Sequence, residues 1–254
     1  MNKYIFDVDG VLCDAGQYID DNFRIFFENW IEDKTYYLIT GSHKEKTVDQ
    51  IGSVIPAKQH IGFHCMGNSI YPPNGEEVLI NQFEFTIEEQ TWMRDFWHRS
   101  IYDQKPDWKT VIEKRKGSYN YSLATRTKNK ELRQRYMDHD RLYNERQNFI
   151  KQLNDNFPRL DAYAGGSVSI DICLRGANKS QILDLIYTKE EEKIYFFCDQ
   201  YTKYGIDTPL INAMERLGDT GQVFKIDNGY KETWEILKTL CSYSATSIFH
   251  LMKQ

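Results

Sequence analysis

The sequence predicts an α/β fold, a parallel-sheet core interrupted by an inserted α+β cap. Three observations lead there. Up to about residue 81, short apolar runs alternate with segments of helical apolar spacing. Between about 82 and 175 the rhythm changes to long helical patterns and alternating strands. The first rhythm then returns. Alternating strands and helices build a parallel sheet flanked by helices, whereas helices laid on alternating strands build an α+β layer. The expected division is a core of 1–81 and 176–254 and a cap of 82–175.

Residues 4–8 (YIFDV) read as a buried strand running into a loop, 19–30 as a helix, and 36–39 (YYLI) as a second buried strand. Ser42-His43-Lys44-Glu45 fits a capping box, so a helix is expected to begin there. Residues 61–65 (IGFHC) form a strand, and 69–82 a hairpin turning at Pro72-Pro73-Asn74-Gly75. In the cap, Thr86-x-x-Glu89 opens a helix over 87–102 carrying Trp92, Met93, Phe96 and Trp97, and 118–124 (SYNYSLA) alternates as a strand. Residues 130–156 read as one long helix with Leu132, Tyr136, Tyr143, Ile150 and Leu153 inward, and 167–173 (SVSIDIC) alternates strictly. Asn178 caps a helix to about 187, 193–198 (KIYFFC) is a buried strand, and Asp207-Thr208-Pro209 starts a helix. A strand over 222–226 and a helix over 230–241 follow, and 242–254 is left unassigned.

The 254 residues are 41% apolar and 27% charged, the balance of an ordinary globular protein with a sizeable core. The net charge of −5 lacks the basic excess of a general nucleic-acid binder, so no nucleic-acid partner is expected. The opening MNKYIFDVDG has no basic stretch followed by a signal-length apolar run, and no run of about 18 apolar residues occurs anywhere. No membrane association is expected. Five scattered cysteines without a CxxC pair suit reduced, buried thiols and a cytoplasmic setting.

Chemistry gathers at strand ends, where ligands bind in open parallel sheets. Asp7-Val8-Asp9-Gly10 follows the first strand. Two carboxylates at i and i+2 can share one site, one attacking phosphorus and the other moving a proton. Acids this close repel, so a cation is expected, and Mg²⁺ with oxygen ligands suits phosphate chemistry. The second strand ends in Thr40-Gly41-Ser42 at a helix start, a natural phosphate cradle. Lys179, at the next helix start, can neutralise nucleophile and phosphate together. Asp199 ends the strand KIYFFC, and Asp207 lies eight residues further on.

This order, DxDG, then hhTGS, then a helix-start lysine, then hhxD with a second aspartate, resembles the haloacid dehalogenase superfamily. Within it the chain is similar to eukaryotic-type phosphomannomutases over most of its length. SHKEKTVDQIG (42–52) resembles their SxxEKxxxQxG, RKGSYNYSLATR (115–126) their RxGMLNxSPxGR, GGSVSID (165–171) their GGxxSxD, and CDQYTKYGIDT (198–208) their metal loop. The resemblance implies a Rossmann-like core with an inserted cap and a Mg²⁺-dependent mutase moving phosphate between C6 and C1 of a hexose, with a hexose 1,6-bisphosphate activator. It implies that Asp7 is phosphorylated and that Asp9 is the acid/base and gives the metal its backbone carbonyl. Asp199 binds the metal with Asp207 nearby, and Thr40, Gly41, Ser42 and Lys179 grip the transferring phosphoryl group. Arg115, Arg126 and Arg133 hold the distal phosphate, and Ser169 and Asp171 the sugar hydroxyls. Arginine forks suit phosphate oxygens, and Arg135 is an alternative to Arg133. It further implies a role in supplying mannose 1-phosphate for GDP-mannose and a homodimer formed through the cap. The chain departs from the family where Val11 and Cys13 replace two threonines and Gly16 stands for an arginine. Its second metal loop has no clear counterpart near Asp227-Asn228-Gly229, and its DGWDK is Arg175-Gly176-Ala177-Asn178-Lys179. These departures keep open a sugar-phosphate phosphatase as the alternative.

Overall fold

The computed structural model describes residues 2–73, 75–127, 129–187 and 192–251, with side chains described to residue 240. Asn74 of the expected turn and residues 252–254 of the unassigned tail lie outside the described residues. The first segment runs β1 (Lys3–Phe6), α1 (Asp21–Trp30), β2 (Thr35–Ile39), α2 (Lys44–Ile51), α3 (Val54–Lys58), β3 (Ile61–His64), β4 (Ser69–Tyr71) and β5 (Val78–Leu79). The middle runs α4 (Ile87–Arg99), α5 (Trp108–Val111), β6 (Ile112–Arg115), β7 (Ser118–Tyr121), α6 (Lys130–Tyr143), α7 (Glu145–Asn156), β8 (Leu160–Gly165) and β9 (Ser169–Leu174). The last segment runs α8 (Leu183–Ile186), β10 (Ile194–Cys198), α9 (Thr208–Glu215), β11 (Gly221–Lys225) and α10 (Tyr230–Leu251).

Two sheets result. Strands of the first and last segments form one sheet in the order β11-β10-β1-β2-β3-β4-β5, and those of the middle form the other, β6-β7-β9-β8. The first sheet is parallel from β11 to β3, and β4 and β5 join it antiparallel. The second is antiparallel throughout. The mixed α/β architecture expected from the sequence is therefore present.

The parallel strands are apolar on both faces because both faces are covered. Phe6, Leu38 and Phe197 pack to one side with Phe23 and Phe27, while Ile5, Ile39 and Phe196 pack to the other with Leu210 and Met214. The cap sheet is apolar on one face only. Tyr121, Ile170 and Ile172 meet Met93, Phe149 and Leu153 of the cap helices. Its other face carries the row Glu113, Asn120 and Asp171, directly opposed across three strands, and looks at the core.

Local differences from expectation have identifiable causes. The capping box at Thr86 and Glu89 forms on both sides. The one expected from Ser42 does not: His43 takes the N-cap position with no side-chain cap bond, and the Ser42 hydroxyl instead accepts from Lys46 at 2.9 Å. The long cap helix breaks at Asn144, which adopts a left-handed φ of 51°, a conformation asparagine tolerates. Leu132 and Tyr143 face outward (41% and 48% exposed), the latter at the break, while Tyr136, Ile150 and Leu153 stay buried as expected. The terminal helix runs through the residues left unassigned to Leu251. Four described cysteines are buried free thiols; the side chain of Cys241 lies outside the described residues.

The two layers touch. Ala164 of β8 donates its N–H to the Tyr204 carbonyl (2.7 Å), and its own carbonyl accepts from Ile206 (3.1 Å). Ile206, Met66, Cys173 and Ala177 form a small apolar contact at the same seam.

Candidate active site

Strand register gathers the acids. Phe6 is paired with Leu38 on one side and Phe197 on the other. The residues just beyond, Asp7, Thr40 and Asp199, therefore emerge together at the carboxyl edge of the sheet. Gly10 makes room in the loop after β1. It has φ +82°, and a Cβ there would lie 2.3 Å from Asp199 Oδ2.

Lys179 is fully buried, and its ammonium reaches Asp7 Oδ1 at 3.1 Å and Asp207 Oδ1 at 2.6 Å. Asp7 also accepts from the Val8 N–H (2.8 Å), and Asp207 from the Gln200 N–H (3.0 Å). Oxygens of Asp7, Asp199 and Asp207 lie within 4.8 Å of one another. Burial holds the Asp7 carboxyl well above the usual range; Lys179 opposes this, and Asp207 and Asp199 add to it. Burial, then Asp207, pushes Asp199 up to about 7. One oxygen of Asp199 is buried without a hydrogen-bond partner. Three crowded carboxylates against one ammonium, with an unsatisfied oxygen among them, fit a hard divalent cation. Asp207 does not line the cavity; its oxygens are taken by Lys179 and Gln200, behind the other two.

Asp9 is held apart from Asp7 by three donors: Lys46 (2.9 Å), Gln50 (2.8 Å) and the Gly16 N–H (2.7 Å). Burial alone would raise its pKa, but Lys46, Gly16 and Gln50 bring it below the usual carboxylate range. Lys46 and Gln50 were quoted from the sequence only as part of a matching stretch. Their α2 positions, four and eight residues after Ser42, put them one and two turns on, along the same helix face.

Above these groups lies a cavity of about 280 Å³, closed on its far side by the cap. Asp7, Asp9, Lys179, Asp199, Thr40, Gly41 and Ser42 line one end, and Arg115, Arg126, Arg133, Ser169 and Asp171 the other. Arg115 donates to the Gly41 carbonyl (2.7 Å), to Asp171 (3.0 Å) and to Glu113 (3.1 Å), so it spans from cap to core. Arg126 is tied to cap groups: the carbonyls of Asn120 (2.7 Å), Val111 (3.0 Å) and Thr110 (3.3 Å), the Asn120 side chain, and Glu113 (3.2 Å). Glu113, not singled out in the sequence, thus braces both arginines, and Asn120 braces Arg126. Arg133 donates to Ser167 (2.5 Å) and stands beside Gly16, where a Cβ would lie 3.7 Å from its guanidinium. Arg135 pairs with Asp103 at the surface instead. Ser169 donates to the Gly165 carbonyl (2.9 Å), and Asp171 also accepts from Asn120 (2.8 Å).

A strand-end aspartate, a buried lysine and an acid cluster under an inserted cap define an enzyme of the haloacid dehalogenase type. Among solved structures, the chain is similar to the C-terminal domain of a Candida albicans trehalose-6-phosphate phosphatase, with 15% identity and a TM-score of 0.63 over 95% of this chain and 92% of that one. It is also similar to a Plasmodium falciparum IMP-nucleotidase, with 12% identity and a TM-score of 0.58 over 97% of this chain and 70% of that one. At these identities the likeness shows the fold. The family model for eukaryotic phosphomannomutase matches residues 23–239, and the chain belongs to that family. It is similar to a phosphomannomutase of Babesia bovis, 27% identical over 252 residues covering 94% of this chain and 98% of that protein. A phosphomannomutase of Oryza sativa subsp. indica is 25% identical over 223 residues, covering 85% and 88%. Among the described residues, no helix is long and apolar enough to cross a membrane.

Proposed function

We propose that the chain is a phosphohexomutase that moves phosphate between C6 and C1 of a hexose through a phospho-aspartate on Asp7. What carries the reading is a single cavity between core and cap with groups suited to phosphate at both ends: Ser42 and Lys179 beside Asp7, and Arg115, Arg126 and Arg133 in the cap. A bisphosphate can be gripped at one end while the other reacts.

In the forward half-reaction an Asp7 oxygen attacks phosphorus and the phosphorus–oxygen bond to the sugar breaks. Asp9 delivers the proton to the departing sugar oxygen. In the return, Asp9 takes the proton from the other hydroxyl, whose oxygen attacks the phosphoryl group on Asp7. Lys179 offsets the charge of the nucleophile, and closure of the cap keeps water from the phospho-aspartate. Mg²⁺ would be held by Asp7, Asp199 and the Asp9 carbonyl, with Asp207 behind. There it supplies charge neutralisation for the phosphoryl oxygens. The same reading extends to a homodimer through the cap helices, where Ile101 and Tyr143 are exposed; light scattering showing a monomer at micromolar concentration would remove that part.

The test is incubation with mannose 1-phosphate or glucose 1-phosphate, Mg²⁺ and a trace of the 1,6-bisphosphate, followed by phosphorus NMR. Appearance of the 6-phosphate supports the mutase; free phosphate alone identifies a phosphatase and overturns it.

A further inference from the structure

The turn between β8 and β9, residues 166–168 with the paired strand ends Gly165 and Ser169, forms part of the cavity wall, and Ser122 holds only its Val168 carbonyl from within the sheet (3.2 Å). It begins with two glycines, the second at φ +47°. Its backbone is held from outside by the α6–α7 hairpin. Arg146, in the first turn of α7, donates to the carbonyls of Gly166 (3.2 Å) and Ser169 (3.5 Å). Its Nε donates to Asp140 Oδ2 (2.7 Å), and its backbone N–H to Asp140 Oδ1 (2.8 Å). Both side chains are largely buried, 18% and 11% exposed. The left-handed turn at Asn144 brings the end of α6 and the start of α7 together so that this pair can form. From the other end of α6, Arg133 holds Ser167.

We propose that Arg146 is a positioning residue for the reaction: locked by Asp140, it sets the backbone of the 165–169 loop and so the places of Ser167 and Ser169 against the sugar phosphate. Only a planar fork can meet a carboxylate with one nitrogen and two carbonyls with another. Arg146 does not line the cavity, so any effect it has on the reaction passes through the turn it holds. This inference rests on the proposed use of the cap end of the cavity, but its central claim concerns the loop and is measurable without substrate.

The experiment compares Arg146→Ala and Arg146→Lys with the parent as full-length proteins whose melting is checked first. Hydrogen exchange of amides over 165–169, read by mass spectrometry, is expected to rise roughly tenfold or more, with residues 170–174 of the same hairpin unchanged. The KM for hexose phosphate is expected to rise roughly tenfold or more, since small misplacements of binding groups are costly. Hydrolysis of p-nitrophenyl phosphate, too small to need the loop, is expected to fall much less. Millimolar guanidinium ion, refilling the space in Arg146→Ala, is expected to lower the raised KM, and Arg146→Lys should sit between parent and alanine. Unchanged exchange in both variants overturns the proposal. So does an equal loss on both substrates, or a KM indifferent to guanidinium. If the parent itself turns over no hexose phosphate, the functional reading fails while the exchange result still decides the clamp.

Discussion

Replacing Lys179 with methionine keeps the volume of the side chain but deletes the ammonium that pairs with the buried Asp7 and Asp207, beside a half-buried Asp199. Oxygens of Asp7, Asp199 and Asp207 stand within 4.8 Å of one another. At that distance two unit charges repel by about 3.5 kcal/mol at an effective dielectric constant of about 20. Breaking a buried ion pair by removing one partner costs about 3–5 kcal/mol, so the two estimates agree. For a chain of this size the melting temperature should fall by roughly 6–20 °C. One of the acids should then take up a proton. A carboxyl whose folded pKa stands above its unfolded value binds more protons in the fold, so the variant should gain stability as the pH is lowered from 8 to 6. Transfer should fall at least about a hundredfold, because a protonated Asp7 is no nucleophile and the charge facing the phosphoryl group is lost. Melting across pH and phospho-transfer assays, both without and with Mg²⁺, read these effects. Adding Asp207→Asn should recover much of the stability but none of the activity. If Lys179→Met melts with the parent, or if Asp207→Asn adds a further loss, the charge argument is wrong.

Asp7→Asn should abolish turnover, and Asp9→Asn should slow it strongly while a phosphorylated Asp7 accumulates, visible as an added phosphate in the intact mass. Magnesium should raise the melting temperature of the parent and fail to do so once Asp199 is replaced by asparagine; chelation should stop activity without unfolding the chain. Arg115→Ala removes a charge-assisted contact of about 1.5–3 kcal/mol, so use of a hexose bisphosphate should weaken roughly ten- to a hundredfold and product should shift towards free phosphate; a normal mutase-to-hydrolase ratio would count against its phosphate role. Burial lowers the His64 pKa to about 4, so this side chain is neutral in the fold. The unfolded chain takes up a proton below about pH 6.5, so up to about 3 kcal/mol of stability should drain away between pH 6.5 and 4. Denaturant titrations should show this part of the slope missing in His64→Asn.

The sequence carried the core well because its signals there were local. Three of the five parallel strands, β1, β2 and β10, end just before a residue of the site, and apolar runs bounded by Asp7, Thr40 and Asp199 are hard to mistake. The cap was read less completely. Strands β6 and β8 were not assigned, because IEKR and LDAYAG have no clean alternation: one is half exposed and the other carries Asp161 amid apolar residues. The break at Asn144 lay hidden because helical spacing continues on either side of it, and it is fixed by a tertiary pairing, Asp140 with Arg146. Ser42 illustrates the opposite error: its pattern promised a cap, but Lys46, one turn on and itself paired with Asp9 of the loop after β1, drew it into the site. Lys46, Gln50, Glu113 and Asn120 acquired their roles only from partners distant in sequence or across a strand pair: Asp9 for the first two, the cap arginines for the others.

Gly205 and Ile206, where the cap strand is laced to the core, fall between Asp199 and Asp207. The lid is thus fastened to the very stretch of chain whose two ends supply acids to the cluster. Lifting it tears the hydrogen bonds of Ala164 and frees this stretch, and the grip of Arg115 on the Gly41 carbonyl goes at the same moment. An open molecule would then be a loosely assembled one, with its carboxylates less well aimed and its phosphate cradle unbraced. On this wiring, a cap that swung away would leave a stray water facing carboxylates and a phosphate loop no longer braced for transfer.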